Sequence, residues 1–264
     1  MQIKSKAKDN SHERRNKILD LVTEKESISV GTLARALEVS LVTVRADLAA
    51  LEEEGALLRS HGGASPAFHP AIAQRMRNRR EAKAAIAKAA AQYVEDDDTI
   101  MIAAGTTTAL IPRYLRGKRN VHIVTNNTLL LPYVRTNPLL QVTLVGGTFR
   151  PAEESLTGPL TMEAVERFHV ARAFLGIDGA DPRLGVFANS VESAGFVRQM
   201  ASHAAQIIVL ADSAKFQTPG FVHILPFDRI DLLITDDQLP ADVERYLLEH
   251  NVKLIKTMTR SEAT

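Results

Sequence analysis

From residue 99 onward the chain repeats one pattern: a short apolar run, a polar turn, then a stretch compatible with a helix. The apolar runs lie at 99–103, 121–125, 142–145, 173–177, 206–210, 232–235 and 252–255, and helix-compatible segments at 107–115, 129–135, 160–167, 192–204 and 241–250 separate most of them. A strand buried on one face alternates apolar and polar residues. These runs are nearly continuous and partly β-branched, so both of their faces must be covered. Interleaving with helices then predicts an α/β fold with a mainly parallel sheet and helices on both sides.

In such sheets ligands bind beyond the carboxyl ends of the strands, where loops feed helix N-termini. Polar residues collect at those points. Gly105-Thr106-Thr107-Thr108 follows the first run, Thr125-Asn126-Asn127 the second, Gly146-Gly147-Thr148 the third, Asp178-Gly179 the fourth and Asp212-Ser213-Ala214-Lys215 the fifth. Gly105 lets backbone approach a ligand closely, and successive amides with threonine hydroxyls suit a phosphate at the positive end of a helix. Lys215 would supply a cation, while Asn126, Asp178 and Glu192 would hold sugar hydroxyls. Each loop alone is ordinary turn and capping chemistry. Five such loops at five successive strand ends point to a small phosphorylated ligand. No Gly-Lys-Ser/Thr follows Gly105 and no Gly-x-Gly-x-x-Gly is present, which argues against a nucleoside triphosphate or a dinucleotide.

The first sixty residues read differently. Ile18, Leu21 and Val22 form the inner face of a helix over about 13–26, and Val30, Leu33, Ala34 and Leu37 that of a second helix behind Ser29. Only Glu38-Val39 separates it from a third, capped by Ser40 and stopped at Gly55, whose Val44, Leu48 and Leu51 share one side. Val42, Thr43, Arg45, Ala46 and Ala49 point the other way. A strand-turn signal, Leu57-Leu58-Arg59-Ser60-His61-Gly62-Gly63, follows at once. An ordinary helical hairpin would explain the helices alone; with the strand-turn the segment predicts a winged helix-turn-helix whose third helix enters a DNA major groove. The expected DNA contacts are Arg14, Arg15, Ser40, Val42, Thr43, Arg45, Arg59, His61 and Gly62. Thr43 and Arg45 are the base readers, and Ser40 and Arg59 hold phosphates.

Charge adds a local argument only. Lys+Arg number 32 against 31 Asp+Glu, so no global field draws the chain to DNA. Lys4, Lys6, Lys8, Arg14, Arg15 and Lys17 nevertheless crowd the N-terminus, where a flexible arm and the first helix meet phosphates. Arg75, Arg77, Arg79 and Arg80 read as a solvated face or an ion-pair surface. The absence of cysteine fits a cytoplasmic location. Scattered histidines offer no metal site, no cofactor is called for, and neither an export signal nor a membrane-spanning run is read. The expected division is 1–63 for the DNA-binding domain, 64–80 for a linker and 81–264 for an effector-sensing and oligomerisation domain.

With both halves read, the chain resembles the DeoR family of bacterial transcriptional regulators. In the first half the matching residues include Leu33-Ala34, Val39-Ser40, Thr43-Val44-Arg45, Asp47-Leu48, Leu51-Glu52, Gly55 and His61-Gly62-Gly63-Ala64. In the second they include Asp98-Thr99, Gly105-Thr106-Thr107, Val124-Thr125-Asn126, Gly146-Gly147, Phe174-Leu175-Gly176, Asp178-Gly179, Ala211-Asp212-Ser213, Lys215-Phe216 and Ile234-Thr235-Asp236. The resemblance implies a winged helix-turn-helix followed by a sensor domain related to ribose-5-phosphate isomerase and glucosamine-6-phosphate deaminase. It further implies a repressor of a carbohydrate-catabolism operon, a homo-oligomer (dimer or tetramer) that holds double-stranded operator DNA and releases it to a phosphorylated sugar. Three departures stand out. Arg45-Ala46-Asp47 replaces two consecutive arginines before the aspartate, Ala103 stands where a polar residue is frequent, and Asn127 replaces a common serine. The rival reading is a sugar-phosphate isomerase or deaminase with a helical appendage, for which Asp178 and Asp181 supply part of the isomerase pattern. Its catalytic glutamate aligns with Gln199, which is no base at neutral pH and leaves only Glu192 as a substitute. A third reading is a constitutive DNA-binding protein.

Overall fold

In a computed structural model residues 2–25, 27–53, 55–60, 62–218 and 220–258 are described, and the chain divides into two units, Met1–Arg75 and Met76–Thr264. The first begins with helix α1 (Gln2–Lys25), strand β1 (Ile28–Ser29), α2 (Val30–Leu37) and α3 (Leu41–Glu53). Strands β2 (Leu57–Ser60) and β3 (Gly63–Pro66) form the wing hairpin, and β3 pairs on its far side with β1. The core is the one the spacing predicts: Ile18, Val22, Leu33, Ala34, Val44, Leu48 and Leu51, closed by Ile28, Leu57 and Ala64. Ser29 caps α2 by accepting from the Thr32 amide at 3.1 Å, and Glu38 ends it in the left-handed region at φ 54°. Gly63 is required by contact, since a Cβ there would sit 2.5 Å from the Ile28 carbonyl oxygen of β1.

Helix α4 (Pro70–Arg77) leads to α5 (Arg80–Ala91), and the second unit then follows its alternation. The elements are β4 (Thr99–Ile102), β5 (Val121–Thr125), α6 (Leu131–Val134), β6 (Leu140–Leu144), β7 (Thr148–Arg150), β8 (Ser155–Thr157), α7 (Pro159–Val165) and β9 (Val170–Gly176). After them come β10 (Gly179–Asp181), β11 (Gly185–Ala188), α8 (Val191–Ser202), β12 (Ala204–Leu210), β13 (Val222–Leu225), β14 (Leu232–Asp236), α9 (Ala241–Glu249) and β15 (Leu254–Thr257). Seven strands make one parallel sheet in the order β15-β14-β12-β9-β4-β5-β6. The chain moves outward from β4 through β5 to β6, then returns to place β9 on the other side of β4. Strand order therefore reverses between β4 and β9, the point at which sheets of this kind bind ligands beyond their carboxyl ends.

The structure departs from the sequence reading in several places. Helix α1 continues back to Gln2, through the segment read as a flexible basic arm. The segment read as a linker, 64–80, holds most of β3 and all of α4. The helix expected over 107–115 is a 3₁₀ turn, Thr108–Tyr114, interrupted by Pro112, which lacks the N–H an α-helix would use there. A hairpin, β7–β8, and a small antiparallel sheet, β10-β11-β13, were not anticipated. Among the described residues no helix is long and apolar enough to cross a membrane.

Candidate DNA-reading helix and strand-end ligand site

Helix α3 presents the outward face that its spacing predicts. Val42, Arg45, Ala46 and Ala49 are exposed, and Arg45 makes no side-chain pair among the described residues. Ser40 accepts from the Thr43 amide at 3.1 Å and shares a 2.9 Å hydroxyl contact with Thr43 Oγ1, so it caps the helix while lying beside the reading face. Gly62, at φ 88°, turns the wing. His61 lies outside the described residues.

The remaining three expected contacts have partners within the protein. Asp47 falls on the buried face beside Val44, Leu48 and Leu51, and it is 3 % exposed. A carboxylate there needs cations, and α1 supplies them: Arg14 donates to Asp47 at 2.6 and 3.2 Å, and Arg15 at 3.2 Å. The hydrogen bond from Arg14 to Asp47 raises the pKa of that arginine, with burial opposing and the Asp47 charge adding. Arg14 and Arg15 thus clamp α1 to α3 rather than standing free for phosphates. Arg59, on the wing, pairs with Glu52 at 3.3 Å on the surface. The signal that would have found Asp47 was in the sequence, as positions 44, 47, 48 and 51 share one helical stripe.

At the carboxyl ends of β4 and β9 two loops touch. A Cβ on Gly105 would lie 3.9 Å from Gly176 Cα, and one on Gly176 would lie 3.2 Å from the Ala104 carbonyl oxygen. The strand β10, which follows the β9 loop, packs in turn against the 3₁₀ turn Ser213–Phe216 that follows β12. The structure therefore makes the first, fourth and fifth predicted loops neighbours at one edge of the strand ends. Thr106 and Thr107 stand just ahead of the 3₁₀ turn, whose Ala109 and Leu110 amides bond to the Gly105 and Thr107 carbonyls, each at 3.1 Å. Lys215 is half-buried, and its ammonium has no partner among the described residues.

Other expected ligand residues serve as scaffold. Thr108 donates to the Ala103 carbonyl at 2.8 Å, and Thr125 to that of Ile102 at 2.6 Å. Asn126 accepts from the Ala104 amide at 2.9 Å and donates to the Leu156 carbonyl at 3.0 Å. Asn127 donates to the Gly105 carbonyl at 3.1 Å and caps the next turn through the Leu129 amide. Buried polar groups must be bonded, and Thr108, Asn126 and Asn127 hold the 103–105 backbone in its turn while Thr125 ties β5 to the end of β4. The third loop lies apart from these, because β6 is the sheet edge, two strands from β4. Gly146 accepts from Thr161 Oγ1 at 2.7 Å, and Gly147, at φ 144°, has no room for a Cβ beside Thr161 and Thr157. Asp178 receives the Asn189 amide at 2.9 Å, and Glu192 is an exposed residue 3.8 Å from Arg150.

Sequence reasoning missed the polar cluster beside Lys215. Asp236, fully buried at the end of β14, accepts from Ser213 N and Oγ, each at 2.8 Å, from the Gln238 amide at 3.1 Å and from Arg79 at 2.8 Å. Burial alone would raise its pKa. The hydrogen bonds from Ser213 and Gln238, with the Arg79 charge, outweigh that and hold it below the ordinary carboxylate value. An acid closing an apolar strand was the available signal, but its cation lies 157 positions away.

Comparison with known proteins bears on both units. Residues 14–67 match the family profile described as the DeoR-like helix-turn-helix domain, and 78–237 that of the DeoR C terminal sensor domain. The chain is similar to the HTH-type transcriptional repressor CsqR of Escherichia coli K12, 31 % identical over 92 % of this chain and 94 % of that protein. It is also similar to the glycerol-3-phosphate regulon repressor of the same organism, 26 % identical over 92 % and 97 %. Among solved structures, ribose 5-phosphate isomerase A from Neisseria gonorrhoeae overlaps 54 % of this chain and 55 % of that one, at 18 % identity and a TM-score of 0.36.

Proposed function

The chain belongs to the DeoR family of DNA-binding transcription regulators, and from that premise we propose that it represses a carbohydrate-catabolism operon and leaves its operator when a phosphorylated sugar enters the β4–β9 crevice. DNA reading falls to the first unit, with Val42, Thr43 and Arg45 against base edges and Ser40 at a phosphate. Ligand sensing falls to the second. Gly105, Thr106 and Thr107 line the phosphate subsite with Lys215 as its cation, and Asp178 meets sugar hydroxyls. A homo-oligomer pairs two reading helices on two half-sites, so that a change in their spacing lowers affinity. The name of the glycerol-3-phosphate regulon repressor fits a phosphorylated metabolite as the controlling chemistry.

One observation supports the reading: the loop after β4 touches the end of β9 where strand order reverses, and β10, which follows β9, packs against the turn that carries Lys215. The test is a thermal-shift screen with a panel of sugar phosphates on the wild-type protein and on Lys215→Ala. A hit should bind the variant at least tenfold more weakly while affinity for DNA is unchanged. An unaltered binding curve in Lys215→Ala would remove the phosphate subsite from these residues.

A further inference from the structure

Helices α4 and α5 are separated by only Asn78 and Arg79, and Arg79 turns the chain in the left-handed region at φ 53° and ψ 38°. That conformation is unfavourable for a residue with a Cβ and persists only where surrounding contacts hold it. The contacts here come from its own side chain. Arg79 Nη2 donates to Asp236 Oδ1 at 2.8 Å, to Ser213 Oγ at 2.8 Å and to Gln238 Oε1 at 3.1 Å, and its Nε lies 3.3 Å from Asp212 Oδ1. Nε is buried and that contact lacks hydrogen-bond geometry, so this donor is unsatisfied. The kink residue is therefore fastened to Asp212-Ser213, the start of the same loop that carries Lys215.

We propose that Arg79 is a positioning residue that couples occupancy of the strand-end crevice to the α4–α5 kink, and through the chain leading back from it to the DNA-binding unit. The electrostatics give the coupling a direction. Arg79 pairs with two carboxylates at once, Asp212 and Asp236. A phosphoryl group drawn to Lys215 adds more negative charge two residues from Ser213. It competes with Asp212 for the unsatisfied Nε donor and loosens the hold of the loop on the guanidinium. Because the kink is held by that guanidinium, a shift of its partners changes the conformation the 78–79 backbone favours. Linkage requires the reverse as well: whatever fixes the kink alters affinity at the crevice. The location of the ligand rests on the proposed function above, whereas the latch between kink and loop does not.

The experiment uses the full chain as wild type, Arg79→Gln, Arg79→Lys and Ser213→Ala. Hydrogen exchange is followed by mass spectrometry, and affinity is measured for a duplex selected by the wild-type protein from a random pool. Without ligand, Ser213→Ala should speed exchange at least threefold in 76–82 as well as in 212–217, and Arg79→Gln should do the same to 212–217. Changes confined to the mutated segment would overturn the latch. Inorganic phosphate, titrated at constant ionic strength, should protect 105–108 and weaken DNA binding by the wild type. Arg79→Gln should still bind phosphate, read as protection of 105–108 at a concentration that saturates it, yet show no change in DNA affinity, with Arg79→Lys partly restoring the response. A full response in Arg79→Gln would refute the coupling. If phosphate protects nothing in the wild type, the crevice reading fails, and the ligand-free exchange still decides the latch.

Discussion

Replacing Asp47 by alanine should destabilise the first unit without touching the DNA-reading face. The carboxylate is buried and receives three charge-assisted bonds from Arg14 and Arg15. Breaking a fully buried pair costs about 3–5 kcal/mol, chiefly because the surviving charge is left uncompensated. Here the survivors keep 22 % and 33 % of their side-chain surface open, so water recovers part of that cost. The higher helix propensity of alanine returns up to roughly 0.7 kcal/mol more. The net loss should be about 2 kcal/mol, or roughly 8–16 °C in the midpoint of a unit this small. The chain offers a convenient assay, because it has no tryptophan and its four tyrosines, Tyr93, Tyr114, Tyr133 and Tyr246, all lie in the second unit. Tyrosine emission therefore follows the second unit alone, while helical circular dichroism follows both. Asp47→Ala should advance the first dichroic transition and leave the tyrosine transition in place. Arg45→Ala, the control, should change stability by less than about 0.5 kcal/mol while abolishing specific DNA binding. If Asp47→Ala melts like the wild type, the carboxylate is no anchor and Arg14 and Arg15 return to the list of phosphate contacts.

Acid should act through Asp236. Its folded pKa lies below the ordinary carboxylate value of about 3.8, so its charge stabilises the fold above that value and the contribution is lost as pH falls through the folded pKa. Urea melts read by tyrosine emission should show wild type more stable than Asp236→Asn at pH 6, with the gap narrowing as pH falls below about 4; a gap undiminished at pH 2.5 would contradict the assignment. Gly147→Ala should lower stability by more than about 2 kcal/mol, because its Cβ would fall 2.0 Å from Thr161 Oγ1 at a φ of 144°; a melting temperature within 2 °C of wild type would show that the β6–β7 turn yields more readily than its geometry implies.

The sequence disclosed most where one pattern served one purpose. All seven predicted strands occur in the parallel sheet, because runs such as Ile207-Ile208-Val209-Leu210 need apolar cover on both faces wherever they are placed. The three helices of the first unit and their shared core were legible for the same reason. The hairpin β7–β8 was not, since Thr148-Phe149-Arg150 and Ser155-Leu156-Thr157 are too short to show a period. At the site, residue type alone could not separate ligand contact from scaffold. Thr106 and Thr108 are chemically identical, and only the position of the Ala103 carbonyl decides that Thr108 is spent on the fold. The cation for Asp236 was equally hidden, as Arg79 sits within a run of arginines that reads as a solvated face.

The central claim, that a phosphorylated sugar in the strand-end crevice controls DNA binding, is tested most directly by one titration. The protein is bound to a duplex it has itself selected, and affinity is followed as each sugar phosphate, and separately its unphosphorylated parent, is added at constant ionic strength. We predict that one phosphorylated compound weakens binding at least tenfold, that its parent sugar does not, and that Lys215→Ala abolishes the response. Equal effects from phosphorylated and unphosphorylated forms, or a full response in Lys215→Ala, would contradict it.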